Sequence, residues 1–383
     1  LFGNDGDDAL NGDNGNDTLN GGADNDALNG NNGDDTLIGE GGNDSFTAGD
    51  GTDVIDYSAA TGPITGSLAS AVNGDGTDSP IATVENVIGS SANDNITGDA
   101  SANTIWGGPG DDTINGAGGA DTLRGEAGND IINGGTGDDV IFSGDGNNTI
   151  TGGGGSDWAS YAGAAGSVVA DLPGGTIDHG AFTDTVSGVE NVTGSVHNDT
   201  FIGDDEDNYF VGGGGDDTMS GGLGDDTLDG GAGTDTVTFA DSWSGVSGTI
   251  NGTFTGEGTD STSTVENVTG SAQADDLTGD NLANVILGGG GDDVLDGRGG
   301  NDTLNGGAGT DRVDYNASPS GITGDLSTGV FTGDGTDTVV VGTVENVRGS
   351  TSADTLTGDS NANHIEGLGG DDVLTGGAGN DTI

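Results

Sequence analysis

The chain has 383 residues, 29% of them apolar and 4% aromatic, with 85 glycines and 66 acidic residues against four arginines, for a net charge of −62. Such a composition excludes a conventional globular core of this size, a nucleic-acid surface and a cationic membrane-binding helix. Cysteine is absent, which excludes disulfides and thiolate metal sites, and no apolar run is long enough for a membrane-spanning helix. Disorder is what composition alone suggests, but the acids are periodic, and a disordered acidic tail has no reason to be.

In chain order, the first segment reads GNDGDDALN, GDNGNDTLN, GGADNDALN, GNNGDDTLI, GEGGNDSFT and AGDGTDVID, nonapeptides of the form G-G-x-G-x-D-x-U-x with U apolar. Its sixth residues are Asp8, Asp17, Asp26, Asp35, Asp44 and Asp53; its eighth are Leu10, Leu19, Leu28, Leu37, Phe46 and Ile55. A second block has Asp94, Asn103, Asp112, Asp121, Asp130, Asp139, Asn148 and Asp157 at position six; a third has Asp199, Asn208, Asp217, Asp226 and Asp235. A fourth has Asp275, Asn284, Asp293, Asp302 and Asp311, and a fifth Asp354, Asn363, Asp372 and Asp381. Four related spacers separate the blocks, near 56–88, 159–193, 239–269 and 315–348. Each opens on an aromatic (Tyr57, Tyr161, Phe239, Tyr315) and closes on V-E-N-V, and three carry G-x-G-T-D.

The chain therefore divides into 1–55, a first repeat block, and four modules of spacer plus block at 56–158, 159–238, 239–314 and 315–383. These are read as one continuous solenoid and as a piece of a longer protein, since both ends fall inside a repeat. Spacer stretches such as Ile64–Leu68 and Val246–Ile250 alternate like half-buried strands and are expected to extend the solenoid, with Val84 and Val87 inward and G-x-G-T-D in longer external turns. No stretch has a helical period.

Glycine at positions one, two and four suits turns with φ > 0. Positions seven to nine then make a short strand with one inward side chain, the residue U. Two nonapeptides complete a coil of 18 residues, and coils stack about 4.8 Å apart. Stacking brings Asp112 over Asp130, and two carboxylates roughly 5 Å apart repel by about 3 kcal/mol at an effective dielectric of ~20. A hard divalent cation between turns removes that repulsion and takes up turn carbonyls. Carboxylate and carbonyl donors without His or Cys point to Ca²⁺.

The nonapeptides resemble the RTX (hemolysin-type calcium-binding) repeat family over the whole chain. The resemblance implies an all-β fold, a Ca²⁺-stapled parallel β-roll or β-helix solenoid, export by type I secretion, and folding in millimolar Ca²⁺ outside the cell. Carried over to repeats with Gly at four and Asp at six, it implies metal at Asp8, Asp17, Asp35, Asp44, Asp53, Asp112, Asp121, Asp130, Asp139, Asp157, Asp217, Asp226, Asp235, Asp293, Asp302, Asp311, Asp372 and Asp381. Asp26 is set apart because Asp24 stands at its position four. The first two turns of blocks two to five lack Gly at position four, and the second of each carries Asn at six; both are expected to bind no metal.

Catalysis has little to build on: His179, His197 and His364 share no repeat phase, and neither H-E-x-x-H nor G-x-S-x-G occurs. An EF-hand reading of Asp334–Glu345 fails because Val339 stands where Gly is required. Position three is too irregular for an ice-binding ladder. Trp106, Trp158 and Trp243 read as braces against spacers more readily than as sugar platforms. The sequence thus reads as a non-enzymatic, extracellular or cell-surface structural element, with calcium ions, copies of itself or cell-surface polysaccharide as partners. The alternative is the secretion and folding region of an exported enzyme or toxin whose catalytic domain lies elsewhere.

Overall fold

A computed structural model describes residues 1–79 and 84–383, and no helix occurs among them. Chain contacts separate it into two units, Leu1–Thr193 and Gly194–Ile383. Each is a flattened β-solenoid of two facing sheets.

In the first unit one sheet is parallel throughout, and its register advances by 18 residues per coil: Ile105 pairs with Leu123 and Leu123 with Ile141. The opposite sheet repeats the step from Ile114 to Ile132 to Ile150. Strands such as Thr113–Gly118 run from position seven into position three of the next repeat, then turn. Within the strand the eighth residue points inward, and Leu19, Leu37, Ile105, Leu123, Ile132 and Ile141 are completely buried. Each contributes about 1.5–3 kcal/mol relative to exposure, and each needs a coil above and below to be covered.

The spacers join the solenoid, but not only by parallel strands. The V-E-N-V strand Asn86–Ile88 slots between Val54–Asp56 and Thr104–Pro109, so one sheet gains a single parallel strand. The other sheet gains three: Thr65–Ser67, Ala71–Asn73 and Thr77–Asp78 form an antiparallel meander, its first strand parallel to Asn95–Thr97. A chain that doubles back through a tight turn can pair only antiparallel, which is where the all-parallel expectation breaks. The second spacer repeats the plan, with Asn191–Thr193 on one sheet and the meander Val168–Asp171, Thr176–His179, Phe182–Ser187 on the other.

The second unit carries two such meanders. Ser247–Thr249, Thr253–Thr255 and Thr259–Ser263 lie in one sheet. Thr323–Asp325, Val330–Thr332 and Thr336–Val339 lie in the opposite sheet. The number of nonapeptides between two spacers decides the face. Each nonapeptide carries the chain across to the other sheet, so the five from Asp275 to Asp311 switch faces, and the eight from Asp94 to Asp157 in the first unit return to the same face.

Three strands opposite one force the sheets apart, and the opening aromatics fill the gap. Tyr57, Tyr161 and Tyr315 are buried, and Tyr315 stacks on Phe331 with centroids 5.5 Å apart. Phe239 is half-buried, 5.0 Å from Phe254. The V-E-N-V valines Val84, Val87, Val189, Val192, Val265, Val268, Val344 and Val347 all point inward, as expected. The G-x-G-T-D segments turn only in their first half: residues 74–76, 256–258 and 333–334 are bends, whereas Thr77–Asp78, Thr259–Ser263 and Thr336–Val339 are strands, with Asp78, Asp260 and Asp337 buried.

Candidate metal sites

Positive φ is found at positions two and four of the turn, as at Gly108 (102°) and Gly110 (148°), but not at position one. Glycine at position one has a different cause. A Cβ on Gly134 would overlap both the Asp139 Oδ2 and the carbonyl oxygen of Gly152 one coil on, and Gly116 faces Asp121 and Gly134 in the same way. The side chain is absent because a carboxylate oxygen and a carbonyl oxygen converge there.

The position-six aspartates form two inward ladders, one along each edge of the solenoid. Asp112 Oδ1 accepts the N–H of Asp94, Asp130 Oδ1 that of Asp112, and Asp139 Oδ1 that of Asp121, at 2.7–2.8 Å. The second oxygen is left over. Oδ2 is buried without a hydrogen-bond partner in Asp26, Asp35, Asp44, Asp53, Asp112, Asp121, Asp130, Asp139, Asp157, Asp217, Asp226, Asp235, Asp293, Asp302 and Asp311. Asp26 thus shares the geometry of the rest, its turn completed by Asp24 in a left-handed conformation (φ 77°). Asp8, Asp17, Asp372 and Asp381 are half-buried on the terminal coils; Asp372 and Asp381 keep the Oδ1 contact, to the N–H of Asp354 and Asn363.

A buried, unpartnered carboxylate oxygen is costly. Burial pushes the carboxyls of Asp112, Asp121, Asp226, Asp293 and Asp302 up to about 7, against the opposing pull of the N–H each accepts. The same cause raises Asp44, Asp130 and Asp217 to about 6. Among the described residues no three acidic or histidine side chains meet at one point. The oxygens that do converge are carboxylates and main-chain carbonyls, a donor set of the kind Ca²⁺ takes.

The opening turns of the later blocks differ in chemistry. Ser90, Ser195, Ser271 and Ser350 stand at position two, where the N–H of each donates to Oδ2, and the hydroxyl to Oδ1, of Asp94, Asp199, Asp275 and Asp354. In the next turn Asn103, Asn208, Asn284 and Asn363 accept the N–H of Asp99, Asp204, Asp280 and Asp359. These turns supply internally the donors that the Gly-Gly turns lack.

Two further sets of side chains went unread in the sequence. Position five forms an outer ladder running the opposite way: Asp111 N–H donates to Asn93, Asn129 to Asp111, and Asn147 to Asn129. The recurring Asn or Asp before the sixth residue was the available signal. Spacer residues also continue the inner ladders. Asp78 Oδ1 accepts the N–H of Asp44, and Glu85 that of Asp53, both at 2.9 Å.

In the second spacer His179 ends the middle meander strand, and the turn after it is the two residues Gly180 and Ala181. It is buried, with Nε2 3.2 Å from Asp184 Oδ1 and its ring 5.0 Å from that of Tyr161. Burial works to raise the Asp184 carboxyl, but His179 and the Asn148 N–H together bring it below the ordinary carboxylate value. Buried among aromatics, the histidine fills the widened interior. Trp106 and Trp158 are half-buried, whereas Trp243 is 90% exposed.

The fold and its oxygen-lined turns define a class, the calcium-stapled parallel β-solenoid. The RTX calcium-binding nonapeptide repeat model matches residues 2–37, 29–59, 88–123, 124–159, 193–228, 202–237, 278–313 and 348–383. With more than half of the chain matched, it belongs to that family, and its repeats bind multiple Ca²⁺ ions. Comparison with curated proteins found no match.

Proposed function

We propose that this region is an extracellular structural or adhesive element that is exported unfolded and folds on Ca²⁺ binding outside the cell. The observation that carries the proposal is the row of buried Asp Oδ2 atoms without donors. A fold built on such rows is unstable until a divalent cation neutralises them, so low cytosolic Ca²⁺ favours an unfolded, exportable chain. The proposed ligands are the eighteen aspartates named from the repeat pattern, joined by Asp26, which shares their geometry. The five repeat blocks act as rigid, non-catalytic modules, and contacts to copies of itself or to cell-surface polysaccharide fit a stalk or surface-layer role. No helix of the described residues is long and apolar enough to cross a membrane.

Calcium titration followed by circular dichroism tests the reading. Extracellular Ca²⁺ modules have Kd values of about 10⁻⁴–10⁻³ M, and a folding midpoint in that range is expected. A midpoint at or below about 10⁻⁷ M, the range of cytosolic sensors, means the chain folds inside the cell, and the proposal falls.

A further inference from the structure

We propose that the V-E-N-V segments, which lie outside the nonapeptides, each complete a Ca²⁺ site at the end of a repeat block. Glu85, Glu190, Glu266 and Glu345 supply the carboxylates, and Gly188, Thr264 and Thr343, which precede the last three, supply carbonyls. The inference rests on the reading that nonapeptide aspartates hold Ca²⁺.

Two independent observations support it. The first is register. Inside a block, the N–H of each sixth residue is capped by the sixth residue one coil on, an aspartate in every case but Asp130, which Asn148 caps. At block ends the glutamate takes that place. The N–H of Asp53 donates to Glu85, Asp157 to Glu190, Asp235 to Glu266 and Asp311 to Glu345, all at 2.8–2.9 Å. Asn86, Asn191, Asn267 and Asn346 then continue as position-seven residues of a normal strand.

The second is the oxygen cradle. Asp53, Asp157, Asp235 and Asp311 are at most 1% exposed, yet the Oδ2 of each lacks a hydrogen-bond partner. Within a block that oxygen and the next coil's position-one carbonyl crowd the face of a glycine. At the block ends a spacer carbonyl arrives at the same point. A Cβ on Gly152 would overlap the Gly188 oxygen, one on Gly230 the Thr264 oxygen, and one on Gly306 the Thr343 oxygen, each beside the Asp Oδ2. The corresponding carbonyl of the first spacer lies outside the described residues. An unrelated, shorter turn thus reproduces both oxygens of a nonapeptide site.

The other edge of each block ends differently, which makes the inference selective. There the meander aspartate closes the ladder: Asp78, Asp184, Asp260 and Asp337 accept the N–H of Asp44, Asn148, Asp226 and Asp302. No spacer carbonyl is among the atoms nearest to Gly39, Gly221 or Gly297. The second oxygens of Asp78 and Asp184 are taken by the Tyr57 and Tyr161 hydroxyls at 2.9 and 2.8 Å. In these two spacers a tyrosine O–H partners the second oxygen of the meander carboxylate. Asp78 and Asp184 are therefore ladder ends that need no metal.

The test is a count of Ca²⁺ per folded chain, by elemental analysis after dialysis, for the whole protein and four variants. Folding of each is checked by circular dichroism at saturating Ca²⁺. Asp217→Asn, inside a block, reports on the nonapeptide sites. Glu266→Gln keeps the oxygen that caps Asp235 but loses the charge. Asp78→Asn is the control on the meander edge, at an aspartate whose second oxygen is already held by Tyr57, and Glu345→Gln repeats the comparison at another block end should Glu266→Gln fail to fold. The expected result is one fewer ion for Asp217→Asn, Glu266→Gln and Glu345→Gln, and an unchanged count for Asp78→Asn. If Asp217→Asn loses an ion and the glutamine variants do not, this inference is overturned while the nonapeptide reading stands. An unchanged count in all of them overturns the nonapeptide reading, and this inference with it.

Discussion

Asp130 Oδ1 accepts the backbone N–H of Asp112 at 2.8 Å, one coil away, while its Oδ2 is buried with no donor at all. The same carboxylate both stitches two coils together and leaves a charge that neither coil satisfies. Most of what the chain is expected to do in solution follows from that divided role.

Without metal the ladders have no counter-charge, so the chelated chain at neutral pH should be largely disordered, and added Ca²⁺ should produce β signal. Far-ultraviolet circular dichroism in chelator and then in millimolar Ca²⁺ measures this. A β-structured metal-free chain at low salt and neutral pH contradicts it.

Protons should partly replace calcium. Burial raises the folded-state values of Asp112, Asp121, Asp226, Asp293 and Asp302 to about 7 from the ordinary 3.8. A carboxyl raised on folding adds stability that is fully present below its unfolded value, near 4, and is lost as pH rises through its folded value. Metal-free protein should therefore gain β signal between pH 8 and pH 5. In the presence of metal, the Ca²⁺ concentration at half-folding should fall as pH drops from 7 towards 5, since protons bound to the same oxygens already supply part of the neutralisation that folding requires. A Ca²⁺ midpoint independent of pH over this window rejects the argument.

Gly134→Ala should be costly and Gly62→Ala should not. The first places a methyl group against Asp139 Oδ2 and the Gly152 carbonyl, whereas the second meets nothing within 4 Å. Overpacking costs about 1–3 kcal/mol, and loss of an ion at that turn would add to it. Thermal melts at saturating Ca²⁺ should show a clear fall for Gly134→Ala alone.

Ile131 and Ile132 are neighbours on opposite sides of one strand, 54% and 0% exposed. Ile132→Ala should destabilise by about 2–5 kcal/mol; Ile131→Ala should stay within about 0.5 kcal/mol. Equal losses in chemical denaturation would mean that the strand's inward face has been misassigned.

The second opening turn of a block should become a metal site when its two glycines and its aspartate are restored. In Asn284 the side-chain oxygen is held by the Asp280 N–H at 2.8 Å. The triple change Asp280→Gly, Leu282→Gly, Asn284→Asp restores the Gly-Gly-x-Gly-x-Asp pattern and should raise the Ca²⁺ count by one ion. An unchanged count would show that position-two and position-four glycines are not what opens the turn to metal.

The nine-residue period was enough to determine the coil, the buried residue of each strand, the turns that differ, and oxygen ligands suited to Ca²⁺. Each of these depends on a residue's place within its own repeat and its copies 18 residues on, and that distance is itself written in the period. The tertiary structure decided what has no such local record. Asp78 caps Asp44 across 34 residues and Glu85 caps Asp53 across 32, a step set by how the spacer folds and not by any repeat. The antiparallel meanders, the sheet that each one widens and the tyrosines that fill the gap follow from the same long step. So does the glycine at position one. Sequence pattern suggested backbone freedom there, but only stacking reveals the neighbouring coil's carbonyl and the Asp Oδ2 that leave no room for a side chain.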